Sequence, residues 1–272
     1  MGMLMTNTFS SFRLDGRVAL VTGGGRGLGF AISPALADAG ANVGILEIDQ
    51  NLCELAERNL KQQGHQVFGV KADVTDREDV EKAVQEVSNR FGPVNILVNN
   101  VGVGYRKQDN WPTGASIPFE LVSEENWRLV QEVNLTSVFH CSQVVGRGML
   151  ERGKGSIVNV ASMSGMVGNI MRHNASYCAA KAGVIMLTRQ LATSWAPKGI
   201  RINAIAPGYM RTQMGALAID DPNVKDLLPI MTPMGRAGEP HELGGAAVFL
   251  ASDASSFMTG QCLVVDGGYT LW

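Results

Sequence analysis

The chain has 272 residues, of which 45% are hydrophobic and 18% are charged, a composition that excludes a disordered chain. Its formal net charge is −2 and its basic residues are scattered, so we expect neither a nucleic-acid partner nor an anionic membrane surface. The four cysteines lie far apart and form no paired motif, which argues against a disulfide framework and a metal site. With no long apolar run and no signal peptide, a cytoplasmic location is expected.

Short apolar runs alternate with amphipathic stretches of helical length along the chain. The predicted strands are 17–22, 42–47, 66–71, 94–99, 156–160, 201–205 and 262–265. The predicted helices are 28–39, 50–63, 77–91, 123–152, 175–196 and 241–252. Strands that are apolar throughout are typical of a parallel sheet covered on both faces. The pattern therefore predicts an α/β fold, a single doubly wound domain with a mostly parallel seven-stranded sheet flanked by helices.

The domain is predicted to span residues 13–272, after a flexible N-terminal tail over residues 1–12, because no linker or composition shift divides the chain. Two stretches, 103–117 and 213–238, are rich in Gly, Pro and turn residues and are predicted to be irregular. Each follows a strand, where the loops of an open α/β sheet form the binding crevice. We expect 213–238 to be a substrate loop. We expect 103–117 to be a rim insertion that is either a substrate-side wall or a surface excursion without a role.

A glycine-rich loop, residues 22–29 with the sequence TGGGRGLG, follows the first predicted strand and opens the first predicted helix. Glycine there permits a tight turn and lets the backbone approach a pyrophosphate, whose charge is stabilised by the N–H groups at the helix start. The order of strand, loop and helix predicts a dinucleotide site. Its cofactor-binding residues are predicted to be Gly23, Gly25, Arg26, Gly27, Leu28 and Gly29.

Glu47 ends the second predicted strand and follows Gly27 by 20 residues. An acidic residue at this distance accepts hydrogen bonds from the adenosine ribose and repels the 2′-phosphate of NADP. If Arg26 lies beside the ribose, its positive charge favours the 2′-phosphate of NADP. The alternative is that Arg26 is a solvated turn residue. We give Glu47 more weight and predict NAD as the cofactor.

Tyr177 and Lys181 begin a predicted helix, and their spacing places the phenol and the ammonium on one face. A free tyrosine has a pKa of about 10 and is a poor acid–base catalyst at neutral pH. A nearby ammonium stabilises the phenolate and lowers this pKa. The pair therefore predicts a tuned proton donor and acceptor.

Six motifs follow one another in the chain: TGGGRGLG at 22–29, NNVG at 99–102, VNL at 133–135, IVNVAS ending at Ser162, YCAAK at 177–181 and PGYMRT at 207–212. In this order they resemble the short-chain dehydrogenase/reductase family over residues 14–272. The resemblance implies a Rossmann fold and a catalytic tetrad. The tetrad residues are Asn134, Ser162, Tyr177 and Lys181.

The resemblance also implies a role for each residue of the tetrad. Tyr177 exchanges a proton with the substrate oxygen, and Ser162 hydrogen-bonds the same oxygen. Lys181 lowers the pKa of Tyr177 and binds the nicotinamide ribose, while Asn134 holds a water molecule that continues the proton relay. Ser164 is the alternative to Ser162, because it lies at the spacing from Tyr177 that many members have. Further cofactor contacts are implied for Asp73, Val74, Asn100, Gly102, Tyr177, Pro207, Gly208, Met210 and Thr212.

Within the family, MTPMGRAGEP at 231–240 and VDGGYTLW at 265–272 are most similar to polyol and sugar dehydrogenases, such as those acting on galactitol, sorbose or gluconate. The resemblance implies NAD-dependent interconversion of a secondary alcohol and its ketone. One alternative is a 3-oxoacyl-thioester or steroid-type ketone reductase, and the other is a non-catalytic NAD-binding regulator. Val101, where the family usually has a small alanine, predicts a slight shift of the cofactor bed.

The resemblance further implies a homotetramer that packs through the predicted helices 123–152 and 175–196. Apolar residues on these helices exceed what one sheet face needs to cover. They are Val130, Val133, Val138, Val144, Val184, Met186, Leu187 and Leu191.

Overall fold

The structure is a computed structural model that describes residues 8–104, 117–169 and 174–272, apart from the side chains of residues 217, 218, 222 and 223. Most of the predicted rim insertion, residues 105–116, lies outside this description. The strands are β1 (Val18–Thr22), β2 (Asn42–Glu47), β3 (Val67–Lys71), β4 (Ile96–Asn99), β5 (Gly155–Val160), β6 (Ile200–Pro207) and β7 (Cys262–Val265). They form one sheet in the order β3-β2-β1-β4-β5-β6-β7. Every pair is parallel, which confirms the predicted doubly wound fold.

The α-helices follow the strands in the alternation that the sequence predicts. They are α1 (Gly27–Asp38), α2 (Gln50–Gln62), α3 (Arg77–Phe91), α4 (Glu124–Gln131), α5 (Ser137–Arg152), α6 (Ala175–Trp195), α7 (Gln213–Ile219), α8 (Pro222–Lys225), α9 (Leu228–Met231) and α10 (Gly244–Ala251). Capping side chains explain where several begin. Asp49 accepts from two N–H groups at the start of α2, Asp76 does the same for α3, and Ser123 caps α4.

The core consists of two apolar layers, one on each face of the sheet. Ala19 and Val21 of β1 pack in the layer with α1 and α10, whereas Val18 and Leu20 pack in the layer with α3 and α5. Because both faces are covered, each central strand is buried along its whole length and shows no alternation of polarity. No helix in the described part of the chain is long and apolar enough to cross a membrane.

The structure corrects three predictions of secondary structure. The predicted helix 123–152 is interrupted by a π-helical turn, Glu132–Thr136, between α4 and α5. The predicted helix 241–252 begins with a 3₁₀ turn, Pro240–Leu243, because Glu239 and Glu242 form a capping box there. The predicted irregular stretch 213–238 contains α7, α8 and α9, since Ile219 and Leu228 are buried against Met163 and Tyr269 in a local apolar cluster.

The N-terminal tail is the fourth difference. Thr8–Phe12, assigned to a flexible tail by the sequence, forms a 3₁₀ helix. The ring of Phe12 lies 6.1 Å from the ring of Phe249 on α10. This aromatic contact and the burial of Leu14 connect the segment to the domain.

Candidate active site

The predicted site residues meet at the carboxyl edge of the sheet. Thr22 ends β1, Glu47 ends β2, Asn99 ends β4 and Ser162 follows β5. β1 and β4 are neighbours, and the strand order reverses between them. This is the topological switch point at which open α/β sheets bind their ligands.

The glycine-rich loop is held by close backbone contacts. Gly23 and Gly27 have φ values of 62° and 57°, a conformation that favours glycine. A side chain at Gly29 would overlap the carbonyl oxygen of Gly23 and would lie 2.5 Å from Nδ2 of Asn100. That Asn100 amide donates to the carbonyl oxygens of Thr22 and Gly23, at 3.0 and 3.2 Å. Asn100 therefore fixes the loop from the end of β4.

The start of α1 fits an anionic group. Its N-cap residue, Arg26, has extended backbone and makes no side-chain capping bond, in contrast to the aspartates that cap α2 and α3. The first N–H groups of α1 are therefore not satisfied by a side-chain cap. Together with the helix dipole, they suit the pyrophosphate of a dinucleotide, so the chain fits the cofactor that its glycine pattern predicts.

Glu47 lies against this loop. Its side chain is 5% exposed, and it accepts from the N–H groups of Gly25 at 3.2 Å and Ile48 at 3.1 Å. A Cβ atom at Gly25 would lie 2.7 Å from Oε2 of Glu47, so only glycine leaves room for the carboxylate. Arg26 is exposed. The structure thus places the carboxylate next to the glycine-rich loop, where the sequence predicts the adenosine ribose.

Other predicted cofactor residues line the same edge. Asp73 follows β3 and accepts from the N–H and hydroxyl groups of Thr75, while Val74 is buried. A Cβ atom at Gly27 would lie 3.8 Å from Cγ2 of Thr212, which brings the segment after β6 next to the loop. These contacts bring residues from distant parts of the chain around one crevice.

The segment after β6 is positioned by β7 and by the chain that precedes α10. Pro207 ends β6, and the N–H of Gly208 donates to the carbonyl oxygen of Val265 at 3.0 Å. Met210 is buried and forms a parallel bridge with Gly238. These contacts with Val265 and Gly238 therefore hold the main chain of the predicted motif PGYMRT in place.

Val101 packs directly against the glycine-rich loop. Its Cγ2 would lie 3.1 Å from a Cβ atom at Gly23, and its N–H donates to the hydroxyl of Thr22 at 3.3 Å. The Val101 side chain therefore fits beside the loop because Gly23 has no side chain.

Tyr177 and Ser162 form the centre of the predicted catalytic group. The N-cap residue of α6, Asn174, accepts from the N–H of Tyr177 at 3.1 Å. Ser162 acts on the phenol of Tyr177 as a side-chain hydrogen-bonding group that lowers its pKa. Ser164 instead accepts from Nδ2 of Asn169 at 3.3 Å. The effect of Ser162 on the pKa of Tyr177 favours Ser162 over Ser164 as the partner of the tyrosine.

Burial is the largest influence on the pKa values of Tyr177 and Lys181. In the protein alone, burial raises the pKa of the Tyr177 phenol, and the hydrogen bond with Ser162 acts in the opposite direction. The ammonium of Lys181 lies over the ring of Tyr177, 5.7 Å from the centroid, and donates to the carbonyl oxygen of Val160 at 2.8 Å. Burial lowers the pKa of Lys181 itself to about 8.

Asn134 lies in the π-helical turn, a feature often found at functional sites. It is fully buried, and its Nδ2 donates to the carbonyl oxygens of Val130 and Val103, both at 2.9 Å. A Cβ atom at Gly102 would lie 2.8 Å from Oδ1 of Asn134 and 3.4 Å from Nζ of Lys181. Because Gly102 has no side chain, a small space remains open beside the side chains of Asn134 and Lys181.

Two residues that the sequence analysis did not assign hold α6, the helix of Tyr177 and Lys181, in place. Asn174 caps α6, and an Asn before a helical run is a recognisable capping signal. Gln131 donates through Nε2 to the carbonyl oxygen of Ser176 at 2.9 Å. No local pattern indicates Gln131, because its partner lies 45 residues away in the chain.

Comparisons with known proteins agree with this geometry. A family model described as enoyl-(acyl carrier protein) reductase matches residues 23–270. Galactitol 2-dehydrogenase (L-tagatose-forming) of Cereibacter sphaeroides is 43% identical, covering 96% of this chain and 98% of that protein. D-threitol dehydrogenase of Mycolicibacterium smegmatis is 38% identical, covering 96% and 95%. The structure of a gluconate 5-dehydrogenase from Burkholderia cenocepacia, in complex with NADP and tartrate, superposes with a TM-score of 0.90 at 38% identity, covering 98% and 100%.

Proposed function

This chain belongs to the short-chain dehydrogenase/reductase family, and on that premise we propose that it interconverts a secondary hydroxyl of a polyol or sugar and the corresponding ketone. The observation that carries this proposal is the placement of the buried Lys181 ammonium 5.7 Å from the ring centroid of Tyr177, at the sheet edge that also holds Ser162 and the glycine-rich loop. The relatives named above, which act on galactitol, threitol and gluconate by their names, support the substrate class.

Within this proposal the cofactor is NAD in preference to NADP. The main-chain N–H groups of the glycine-rich loop hold the pyrophosphate, and Glu47 accepts from the ribose hydroxyls. The position of Glu47 against Gly25 supports this preference, since its carboxylate repels a 2′-phosphate. When bound, the nicotinamide accepts or donates the hydride.

The four side chains of the tetrad bind the substrate oxygen and transfer its proton. Ser162 donates a hydrogen bond to the substrate oxygen, and Tyr177 takes the hydroxyl proton during oxidation or returns it during reduction. The ammonium of Lys181 stabilises the phenolate once substrate and cofactor exclude water from the crevice. Asn134 holds the water molecule that connects this proton to solvent.

The experiment is a nicotinamide absorbance screen with NAD and NADP and their reduced forms. The substrates are polyols with their ketoses, simple secondary alcohols, 3-oxoacyl thioesters and steroid ketones. Turnover of polyols or ketoses is the expected result. Turnover confined to the thioesters or the steroids would replace the proposal with the second reductase function. Cofactor binding without turnover of any alcohol or ketone would favour a regulator.

We also propose that the enzyme is a homotetramer, with support from a surface on α5 and α6. An apolar groove there includes Phe139 and Met186, which are 46% and 59% exposed. Val130, Val138 and Val184, predicted to lie in the subunit contact, are instead buried in the core of the monomer. Light scattering should give the mass of four chains, and a monomer would contradict the proposal.

A further inference from the structure

A chain of hydrogen bonds extends from the catalytic pair to the loop after β6. The N–H of Ser164 donates to Oγ of Ser162 at 3.1 Å, so the two serines are coupled in one 3₁₀ turn. The hydroxyl of Ser164 accepts from Nδ2 of Asn169 at 3.3 Å. Oδ1 of Asn169 in turn accepts from the hydroxyl of Tyr209 at 3.1 Å. We call Ser164, Asn169 and Tyr209 the polar triad.

The far end of the polar triad is anchored firmly. The carbonyl oxygen of Tyr209 accepts from the N–H of Gly238 at 2.9 Å. A Cβ atom at Gly208 would lie 2.7 Å from Cα of Asp266, so this main chain is in close contact with the end of β7. The ring of Tyr209 meets the buried ring of Tyr269 edge-on, with centroids 5.8 Å apart. The phenol of Tyr209 is therefore a fixed donor.

This arrangement orients the hydroxyl of Ser164. A serine hydroxyl has one donor and two acceptor positions. The bond from Asn169 uses one acceptor position, and the donation from Tyr209 to Oδ1 determines which end of the Asn169 amide faces the serine. The proton of Ser164 remains available for an oxygen in the crevice. Ser164 is 8% exposed, as is Ser162, so the two residues are buried to the same extent.

We propose that Ser164 donates a hydrogen bond to a hydroxyl on the carbon next to the reacting carbon, so that the enzyme selects vicinal diols over isolated secondary alcohols. Asn169 and Tyr209 are positioning residues that act through Ser164. This inference rests on the proposed function, because it takes the reacting oxygen to lie between Tyr177 and Ser162. A buried group that hydrogen-bonds a substrate hydroxyl discriminates against an analogue that lacks it.

The test compares 2,3-butanediol with 2-butanol, which differ by the neighbouring hydroxyl. Ser164→Ala should lower kcat/KM for the diol about tenfold and leave kcat/KM for 2-butanol within about twofold, the loss expected for one hydrogen bond. Ser164→Thr keeps a hydroxyl and should restore most of the activity on the diol. Tyr209→Phe should lower kcat/KM for the diol by a smaller factor, mainly through KM.

Matched controls separate recognition from folding. Ser194→Ala removes an exposed hydroxyl on α6, and Tyr269→Phe removes a buried hydroxyl that has no hydrogen-bond partner in the described part of the chain, so both should keep the diol preference. Equal losses on both alcohols in Ser164→Ala would assign the polar triad to structural support and overturn this inference. Turnover of 2-butanol without a diol preference in the wild type would overturn it while leaving the proposed function intact. Failure of the wild type to oxidise either alcohol would overturn both.

Discussion

The cofactor side and the chemical side of the crevice are built in different ways. On the cofactor side, around β1 and α1, the shape comes from main chain in close contact, as where Gly29 meets the carbonyl of Gly23. On the chemical side, around β5 and α6, it comes from side-chain hydrogen bonds such as those of Asn134 and Lys181. The difference indicates that the phenolic hydroxyl of Tyr177 can be removed without loss of cofactor binding, whereas one added methyl group at Gly29 disrupts the cofactor side.

The largest effect is expected for Tyr177→Phe. The phenolic proton is needed in the transition state and not for binding, so turnover should fall about a thousandfold while the Kd for the cofactor stays within about twofold. Steady-state kinetics and a fluorescence titration of reduced cofactor measure the two quantities. Tyr269→Phe, which removes another buried phenol, should retain full turnover. Parallel loss of cofactor binding in Tyr177→Phe would contradict the separation of the two sides.

The next effect concerns stability, because burial holds the pKa of Lys181 near 8 in the folded protein, below its ordinary value of 10.5. Between these two values the unfolded chain binds more protons, so stability rises with pH across this window. Lys181→Met lacks this dependence. The unfolding free energy of the wild type relative to the variant should therefore increase by about 3 kcal/mol from about pH 7 to about pH 11.

Denaturant unfolding of both proteins at one fixed concentration gives this difference, and groups common to both cancel. If the difference in unfolding free energy between the wild type and Lys181→Met stays constant with pH, folding does not lower the pKa of Lys181. The predicted rise would show that burial of the Lys181 ammonium on the chemical side lowers the free energy of unfolding at neutral pH.

On the cofactor side, Gly29→Ala should weaken cofactor binding at least tenfold and destabilise the protein by about 2 kcal/mol, because the added methyl group overlaps the carbonyl of Gly23. Gly245→Ala is the matched control, since a Cβ atom there has open space and alanine favours a helix. It should increase stability slightly and leave the Kd unchanged. Thermal unfolding and cofactor titration distinguish the two variants, and similar behaviour of both would refute the role assigned to close main-chain contact.

The smallest effect is expected for Glu47→Gln. Gln keeps an oxygen that accepts from the N–H of Gly25 but removes the charge that repels a 2′-phosphate. Wild-type protein should bind NAD at least tenfold more tightly than NADP, and the variant should lose most of this ratio, a change of about 1.4 kcal/mol. Calorimetric titration with both cofactors measures it, with the exposed Glu54→Gln as control. Equal affinities for NAD and NADP in the wild type would show that the charge of Arg26 offsets the effect of Glu47 on the 2′-phosphate.

The same contrast explains what the sequence could predict. The strands and the glycine-rich loop follow from short-range patterns, since glycine spacing and apolar runs are local properties. Glu47 could be assigned because it lies at a fixed distance along one β-α-β unit. The tetrad was assigned from a family resemblance, and the structure brings its four residues to one edge of the sheet.

The features that the sequence did not predict depend on contacts between distant segments. The π-helical turn at Asn134 accompanies hydrogen bonds to Val103, 31 residues earlier. The polar triad joins Asn169 to Tyr209 across 40 residues, and neither residue has a local signature. The short helices α7 and α9 form because Ile219 and Leu228 are buried against Met163. Such tertiary contacts override local propensity, which favoured irregular chain in 213–238.

The central claim is that this protein transfers hydride from a secondary alcohol carbon to a nicotinamide. The most direct measurement uses a polyol deuterated at its carbinol carbons, incubated with the wild-type enzyme and NAD, followed by mass spectrometry and NMR of the cofactor. The account predicts one deuterium atom at C4 of the reduced nicotinamide and a ketone in equal amount. Reduced cofactor without deuterium, or bound NAD that stays oxidised with every secondary alcohol offered, would contradict it.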